Sequence, residues 1–213
     1  MRPFSLLAAG FFVCASAFAQ SNAPSANPPP ARTHSERHDG MSVSADAYTN
    51  AERAKEKFGK ANPVPAGILP VEVTLESEAD QPIRIEVSTI QLELRPHDGA
   101  RQDIDWLTVA EVADAIAHPG GPAPPKARRF PIGIPIGGDE KKVEKLADIL
   151  QPLSLDADIL PPMGKIHGFL FFNLGHNMNL AEAASLYVPN ATVIPSNKAL
   201  MFFEVSLGSA SGH

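Results

Sequence analysis

From Val71 onward the chain carries a hydrophobic pattern of period two, and no other feature restricts its fold as tightly. Val71, Val73 and Leu75 alternate with Glu72, Thr74 and Glu76, and Ile83, Ile85 and Val87 alternate with Arg84, Glu86 and Ser88. Successive side chains of a strand point to opposite faces, so the pattern predicts half-buried strands with one wet face. Between the two runs, Ser77-Glu78-Ala79-Asp80-Gln81-Pro82 has the chemistry of a turn. After Ser88-Thr89 the phase slips by one residue, and Ile90, Leu92 and Leu94 carry the pattern. Such a slip predicts a bulge that bends an edge or moves a strand between packed sheets. Ile166 to Leu174 is apolar on both faces, as in a central strand covered on both sides. Leu186-Tyr187-Val188 and Thr192-Val193-Ile194 read as short strands, and Met201, Phe203, Val205 and Leu207 alternate in a final one. The sum is an antiparallel β-sandwich of about seven strands.

A strand Val-x-Val-x-Leu, a polar turn ending Gln81-Pro82 and a strand Ile-x-Ile-x-Val resemble the opening hairpin of secreted immunoglobulin-like sandwiches. Gly164-Lys165-Ile166-His167-Gly168-Phe169-Leu170-Phe171-Phe172 is similar to the glycine-then-Phe-x-Phe strand of telokin-like extracytoplasmic domains, and the strand from Ala199 to Leu207 fits the same pattern. Those domains carry Asn where this chain has Ser77, and they lack the middle segment 101–160. The resemblance spans roughly a third of the chain. It implies a mainly β fold, an immunoglobulin-like antiparallel β-sandwich, to which this chain's own helical periodicity adds a helical insertion and an N-terminal helix. It implies no function, because such sandwiches host many.

Three helices are expected. The first runs over 45–58, with Ser44 as cap, Ala47, Tyr48, Ala51, Ala54 and Phe58 at helical spacing, and Gly59 as the stop. The second runs over 108–117: Thr108 and Glu111 form a capping box, with Leu107 and Val112 placed as a hydrophobic staple. The third runs over 139–150, with Val143, Leu146, Ala147 and Leu150 on one stripe. Trp106 reads as a core anchor. Between the second and third helices, Phe130 to Gly138 is apolar but too rich in proline and glycine for a helix or a central strand. Its Ile132, Ile134 and Ile136 either tuck over the core or form a partner-binding surface.

The start of the chain carries an address. Met1-Arg2, the apolar run Leu6 to Val13 and Ala17-Phe18-Ala19 give the three regions of a secretory signal peptide over 1–19. The run is too short to span a bilayer, so the mature chain begins at Gln20 without a transmembrane segment, exported to a periplasm or secreted. The cysteine, Cys14, leaves with the leader, which excludes disulfides and thiol chemistry. Proline makes up 21 of 213 residues, about twice average usage, and much of it marks the segment boundaries. Residues 20–43, with Pro28-Pro29-Pro30 and many Ser, Ala and Asn, read as a disordered spacer in which His34 and His38 are solvated. One domain then covers 44–208 with an insertion at 101–160, and 209–213 is a tail. The net charge of −6 disfavours nucleic acid or anionic lipid as a partner.

Catalytic chemistry has few footholds. No G-x-S-x-G places a serine on a nucleophile elbow, and the aspartates 103, 105, 156 and 158 lack the glycine and later acid of a calcium loop. Asn190-Ala191-Thr192 is a glycosylation sequon, relevant in a eukaryotic secretory pathway. The best metal candidate is His176 with Met178, near His167 and Met163, since imidazole and thioether suit Cu(I) in the absence of cysteine. The leading expectation is an exported, non-enzymatic domain without a cofactor, binding a protein or cell-envelope partner. A periplasmic copper-binding protein is the alternative, and a hydrolase stands third.

Overall fold

The computed structural model describes residues 33–95, 99–119 and 140–208. In chain order its strands are β1 (His34–His38), β2 (Met41–Ala47), β3 (Ile68–Ser77), β4 (Ile83–Ile85), β5 (Gln91–Leu94), β6 (Gln102–Leu107), β7 (Ile159–Leu160), β8 (Lys165–Asn173), β9 (Ala184–Val188), β10 (Ala191–Val193), β11 (Lys198–Ala199) and β12 (Phe203–Ser206). Three α-helices accompany them: α1 (Ala51–Phe58), α2 (Val109–Ala117) and α3 (Glu140–Leu150). The protein is mainly β, and the named strands pair antiparallel throughout.

The larger sheet has eight strands in the order β1-β2-β3-β8-β6-β5-β9-β12, and a four-stranded sheet has the order β11-β10-β4-β7. The large sheet curls until its outer strands, β1 and β12, lie beside one another. They meet without a backbone ladder. The Glu36 carboxylate accepts the backbone N–H of Glu204. His38 Nε2 donates to the carbonyl of Phe202 at 3.1 Å, and the Asp39 carboxylate accepts the N–H of Met201 at 3.2 Å. This near-closure departs from the two open leaves of an immunoglobulin-like sandwich and approaches a barrel.

Alternation decides what the sheet encloses. Leu69, Val71, Val73 and Leu75 of β3 and Leu170 and Phe172 of β8 face one core, shared with Leu92, Leu186, Phe203 and the small sheet's Ile83, Ile85 and Leu160. The opposite face of the same two strands presents Ile68, Phe169 and Phe171 to a second core built with the helices. β8 is therefore covered on both sides, as its continuous apolar run predicts. Tyr48, Phe58 and Phe169 meet edge to face in that second core, with ring centroids 4.8–6.3 Å apart. Each such buried ring contributes about 1.5–3 kcal/mol.

The N-terminal region differs from its sequence reading. The last part of the expected spacer, 34–43, belongs to β1 and β2, and Ser44 lies in β2 rather than capping a helix. α1 begins only at Ala51, where Asn50 Oδ1 accepts the N–H groups of Glu52 and Arg53 at 2.8 and 3.1 Å. The physical reason is a period-two pattern written in small residues. Met41, Val43 and Ala45 alternate with Ser42, Ser44 and Asp46, and the ladder sets them opposite Ser77, Leu75 and Val73. Packing against β3 supplies the burial that serine and alanine do not advertise.

Two further points refine the reading. The phase slip at Ser88-Thr89 is a 3₁₀ turn, Val87–Thr89, which carries the chain from the small sheet (β4) to the large one (β5). The segment 101–160 is no mere insertion, since β6 lies in the large sheet between β8 and β5 and β7 joins the small one. The capping box forms as expected, with Thr108 Oγ1 accepting the Glu111 N–H and Glu111 accepting the Thr108 N–H at 2.7 Å. Trp106 packs on the first core and donates its Nε1–H to the Val87 carbonyl at 3.1 Å.

Candidate binding face

β8 separates the residues expected to share a copper ion. Met163 and His167 lie at its start, where the Met163 N–H bonds the Ala79 carbonyl and the exposed His167 pairs across from Thr74. His176 and Met178 follow its far end. The six residue steps from His167 to Asn173, at about 3.3 Å each, put roughly 20 Å between the two pairs. His176 packs against Gly67. It adopts a left-handed φ of 67°, and its backbone nitrogen lies 2.6 Å from where a side chain on Gly67 would begin. Gly67 itself has φ 79°, so glycine is required there twice over. Met178 packs against both hydrophobic cores. Among the described residues no three His, Cys, Asp or Glu side chains gather to hold a metal. Ile132, Ile134 and Ile136 lie outside the described residues.

His34 and His38, expected to be solvated, are half-buried on the inward face of β1. The His38 ring stacks on Phe203 at 3.9 Å between centroids. With Glu36 between them, these inward-pointing polar groups make β1 a poor template for pairing with another chain.

The most structured polar surface lies on the outside of β6, β5, β9 and β12. Because Leu92, Leu94, Leu186 and Val205 point into the core, Gln91, Glu93, Tyr187 and Glu204 point outward. The registers align Asp105, Gln91, Tyr187 and Glu204 in one cross-strand row, and Asp103, Glu93, Ser185 and Ser206 in the next. Gln91 Nε2 donates to Asp105 at 2.8 Å. Glu93 is the anomaly, a carboxylate with only 1% of its side chain exposed. Arg95 bridges it to Glu204, at 3.0 Å to each. Arg101 pairs with its other oxygen and reaches Asp103 at 2.9 Å. The hydrogen bond to Asp103, reinforced by the Glu93 charge, raises the Arg101 pKa above the usual guanidinium value.

A carboxylate taken out of water costs several kcal/mol unless charged groups offset it, and here Arg95 donates a hydrogen bond to one oxygen while Arg101 meets the other as an ion pair. In return it fixes their direction. The arginines keep 55% and 50% of their side chains exposed, so their outer edges remain open to a ligand. The Arg101 guanidinium stands 5.9 Å over the Tyr187 ring, and Tyr187 lies 5.5 Å from Phe202. Phe202 is 46% exposed, and Met201 beside it is more so. No sequence signal sets this face apart, since Gln91-x-Glu93-x-Arg95 and Arg101-x-Asp103-x-Asp105 look like any wet side of a half-buried strand.

A second opening, a groove of about 750 Å³, is lined by Lys60, Lys141, Lys142 and Lys145 above Leu146 and Ile149. Among the described residues no helix is long and apolar enough to cross a membrane. Comparison with protein-family models, curated proteins and solved structures finds no match to this chain.

Proposed function

We propose that this chain is an exported, non-enzymatic domain that binds a protein or cell-envelope partner, and that it binds through the outer face of β5, β6, β9 and β12. One observation carries the reading. Buried Glu93 holds two half-exposed arginines beside exposed Phe202 and half-buried Tyr187, which is binding-surface composition in a preorganised arrangement. Arginine and aromatic side chains dominate interface energetics, and a side chain fixed beforehand loses less entropy on association. Export rests on Met1-Arg2, the run Leu6 to Val13 and Ala17-Phe18-Ala19. Kinship with immunoglobulin-like and telokin-like extracytoplasmic sandwiches belongs to the same proposal, supported by the mainly antiparallel β architecture and by the strand Gly164 to Phe172.

The test is site-specific photo-cross-linking of the full chain in cells. A benzophenone amino acid is placed at Phe202 or, as a control, at exposed Ala110 on α2. Adducts from position 202 alone are the expected result. Adducts from both positions, or from neither, overturn the assignment of the face. N-terminal sequencing of the exported protein is expected to begin at Gln20.

A further inference from the structure

We propose that the lysine-lined groove beside α3 binds the phosphate headgroup of a lipid, with the start of its alkyl chain on the groove floor. The site lies apart from the β-face assigned above and does not depend on it. Helical spacing builds it. Lys141, Lys145 and Asp148 recur along one row of α3, and Lys142, Leu146 and Ile149 form the adjoining row. Lys60, on the 3₁₀ turn Gly59–Ala61, adds a fourth lysine from outside the helix. Leu146 belongs to the second core, whereas Ile149 keeps 40% of its surface exposed. With the methylene stems of the lysines, these two make an apolar bed among the ammonium groups.

Charge and size choose the ligand. Among the described lining residues four lysines face one carboxylate, Asp148, while Glu140 and Glu144 of the same helix lie outside the lining. The whole chain carries −6, so the groove reverses the local sign. Lys142 donates to the Ala117 carbonyl at 3.0 Å. Lys60, Lys141 and Lys145 form no ion pair among the described residues, although Arg37, Arg53, Lys57, Arg95 and Arg101 each reach a carboxylate. Lys141 and Lys145 are also like charges at i, i+4, a spacing that weakens a helix and that a bound anion relieves. A phosphate monoester carries about −1.5 to −2 at neutral pH and so answers several ammonium groups at once, which one carboxylate does not. The groove's volume of about 750 Å³ lies in the range of roughly 300–1,000 Å³ that holds a small ligand rather than a macromolecular face. Ile149 gives an alkyl chain a place to lie, which free phosphate would leave bare.

Isothermal titration of the full chain with dodecyl phosphate, kept below its micelle concentration, tests this. Inorganic phosphate supplies the head without the chain, dodecyl maltoside the chain without the charge, dodecanoate a head of single charge, and an oligoglutamate peptide an acidic polymer. Dodecyl phosphate is expected to bind roughly tenfold or more tightly than each of these controls, and to weaken as salt rises from about 0.05 to 0.5 M. Lys60→Gln with Lys145→Gln is expected to lower its affinity by about tenfold, and Ile149→Ser to lower it in part. All three positions are exposed, and unchanged melting curves without ligand confirm that the variants fold. No binding of dodecyl phosphate, equal binding of any control, or binding indifferent to the lysine pair overturns the inference. Cross-linking from position 202 reports on the β-face alone, so either reading can fail without the other.

Discussion

The carboxylate of Glu36, on the first strand, accepts the backbone N–H of Glu204, on the last, and so joins positions 168 residues apart in the chain. Where two edge strands face each other, a backbone ladder is the usual solution, and here side chains stand in for it. The arrangement leaves the seam dependent on a few named groups. Glu36→Ala strips the Glu204 N–H of its partner, a loss of about 1.5–3 kcal/mol for a hydrogen bond to a charged group. For a chain of this size that lowers the melting temperature by roughly 3–12 °C. Amide exchange at 203–206 is expected to speed up while the β3–β8 ladder stays protected. Melting and exchange like the parent's would show that the seam closes without Glu36.

The same seam has an acid limit. The N–H of Met201 holds the Asp39 carboxyl below the usual aspartate range, aided by the His38 side chain. A lowered pKa means that the contact stabilises the fold above the ordinary aspartate value and loses that contribution as pH falls through the lowered one. In NMR spectra the Met201 amide proton is expected to titrate in that acid range, and Asp39→Asn to abolish the step. A Met201 amide that does not respond to acid contradicts the assignment.

The legible parts of this fold are those where a strand or helix writes its burial in large side chains. The alternation at Val71 to Leu75, the two-faced run from Ile166, the Thr108–Glu111 box and the anchoring of Trp106 all reappear in place. What escaped was written in small or polar residues. β2 buries alanine beside serine, and β1 turns two histidines and a glutamate inward, so both look like spacer until β3 and β12 are set against them. The binding face escaped for a different reason. Glu93 is unusual only because Arg95 and Arg101 cover it, and that depends on a β5–β6 register no single strand reveals. The four residues of the copper reading fall into two pairs, Met163 with His167 and His176 with Met178, since neighbours in sequence on either side of a strand are far apart in space.

Gly168 tests whether the glycine before Phe169-Leu170-Phe171 is a packing requirement. The segment at Ser154 and Leu155 runs against β8 there, with the Leu155 N–H bonded to the Phe169 carbonyl at 3.0 Å. A side chain at Gly168 would begin 2.6 Å from the Leu155 backbone. Backbone cannot step aside as a flexible side chain can, so Gly168→Ala is expected to cost about 1–3 kcal/mol in chemical denaturation. A variant as stable as the parent would mean that the 154–155 segment is free to move.

At alkaline pH the second core should fail first. Burial, with a 2.8 Å hydrogen bond to the Glu72 carboxylate, pushes the Tyr48 phenol up to about 12. A raised pKa leaves stability intact below the unfolded tyrosine value near 10 and erodes it as pH climbs toward the folded one. Ultraviolet titration is expected to show a phenolate step near pH 12 that Tyr48→Phe removes, and the variant should lose less stability between about pH 10 and 12. A Tyr48 that ionises with an ordinary pKa would place its hydroxyl in water.

The Glu93 cluster predicts an unequal response to removing its two signs of charge. Glu93→Gln leaves Arg95 on Glu204 and Arg101 on Asp103, both half-exposed and hydrated, so the loss should stay near 1–2 kcal/mol. Removing both cations, Arg95→Met with Arg101→Met, strands a carboxylate that is 1% exposed. Breaking a buried pair in this way costs about 3–5 kcal/mol. Adding Glu93→Leu to that double variant removes the stranded charge and should restore much of the loss, because an apolar trio of similar volume needs no solvation. Urea denaturation of the three variants measures all of this, and the expected order of stability is Glu93→Gln above the triple variant, with the double variant lowest. The triple variant should nonetheless lose the cross-linking from position 202, since the cluster's contribution to binding is the direction it gives two arginines. If Glu93→Gln proves the least stable of the three, the carboxylate holds the sheet together rather than aiming its partners, and the case for this face as a preorganised surface falls with it.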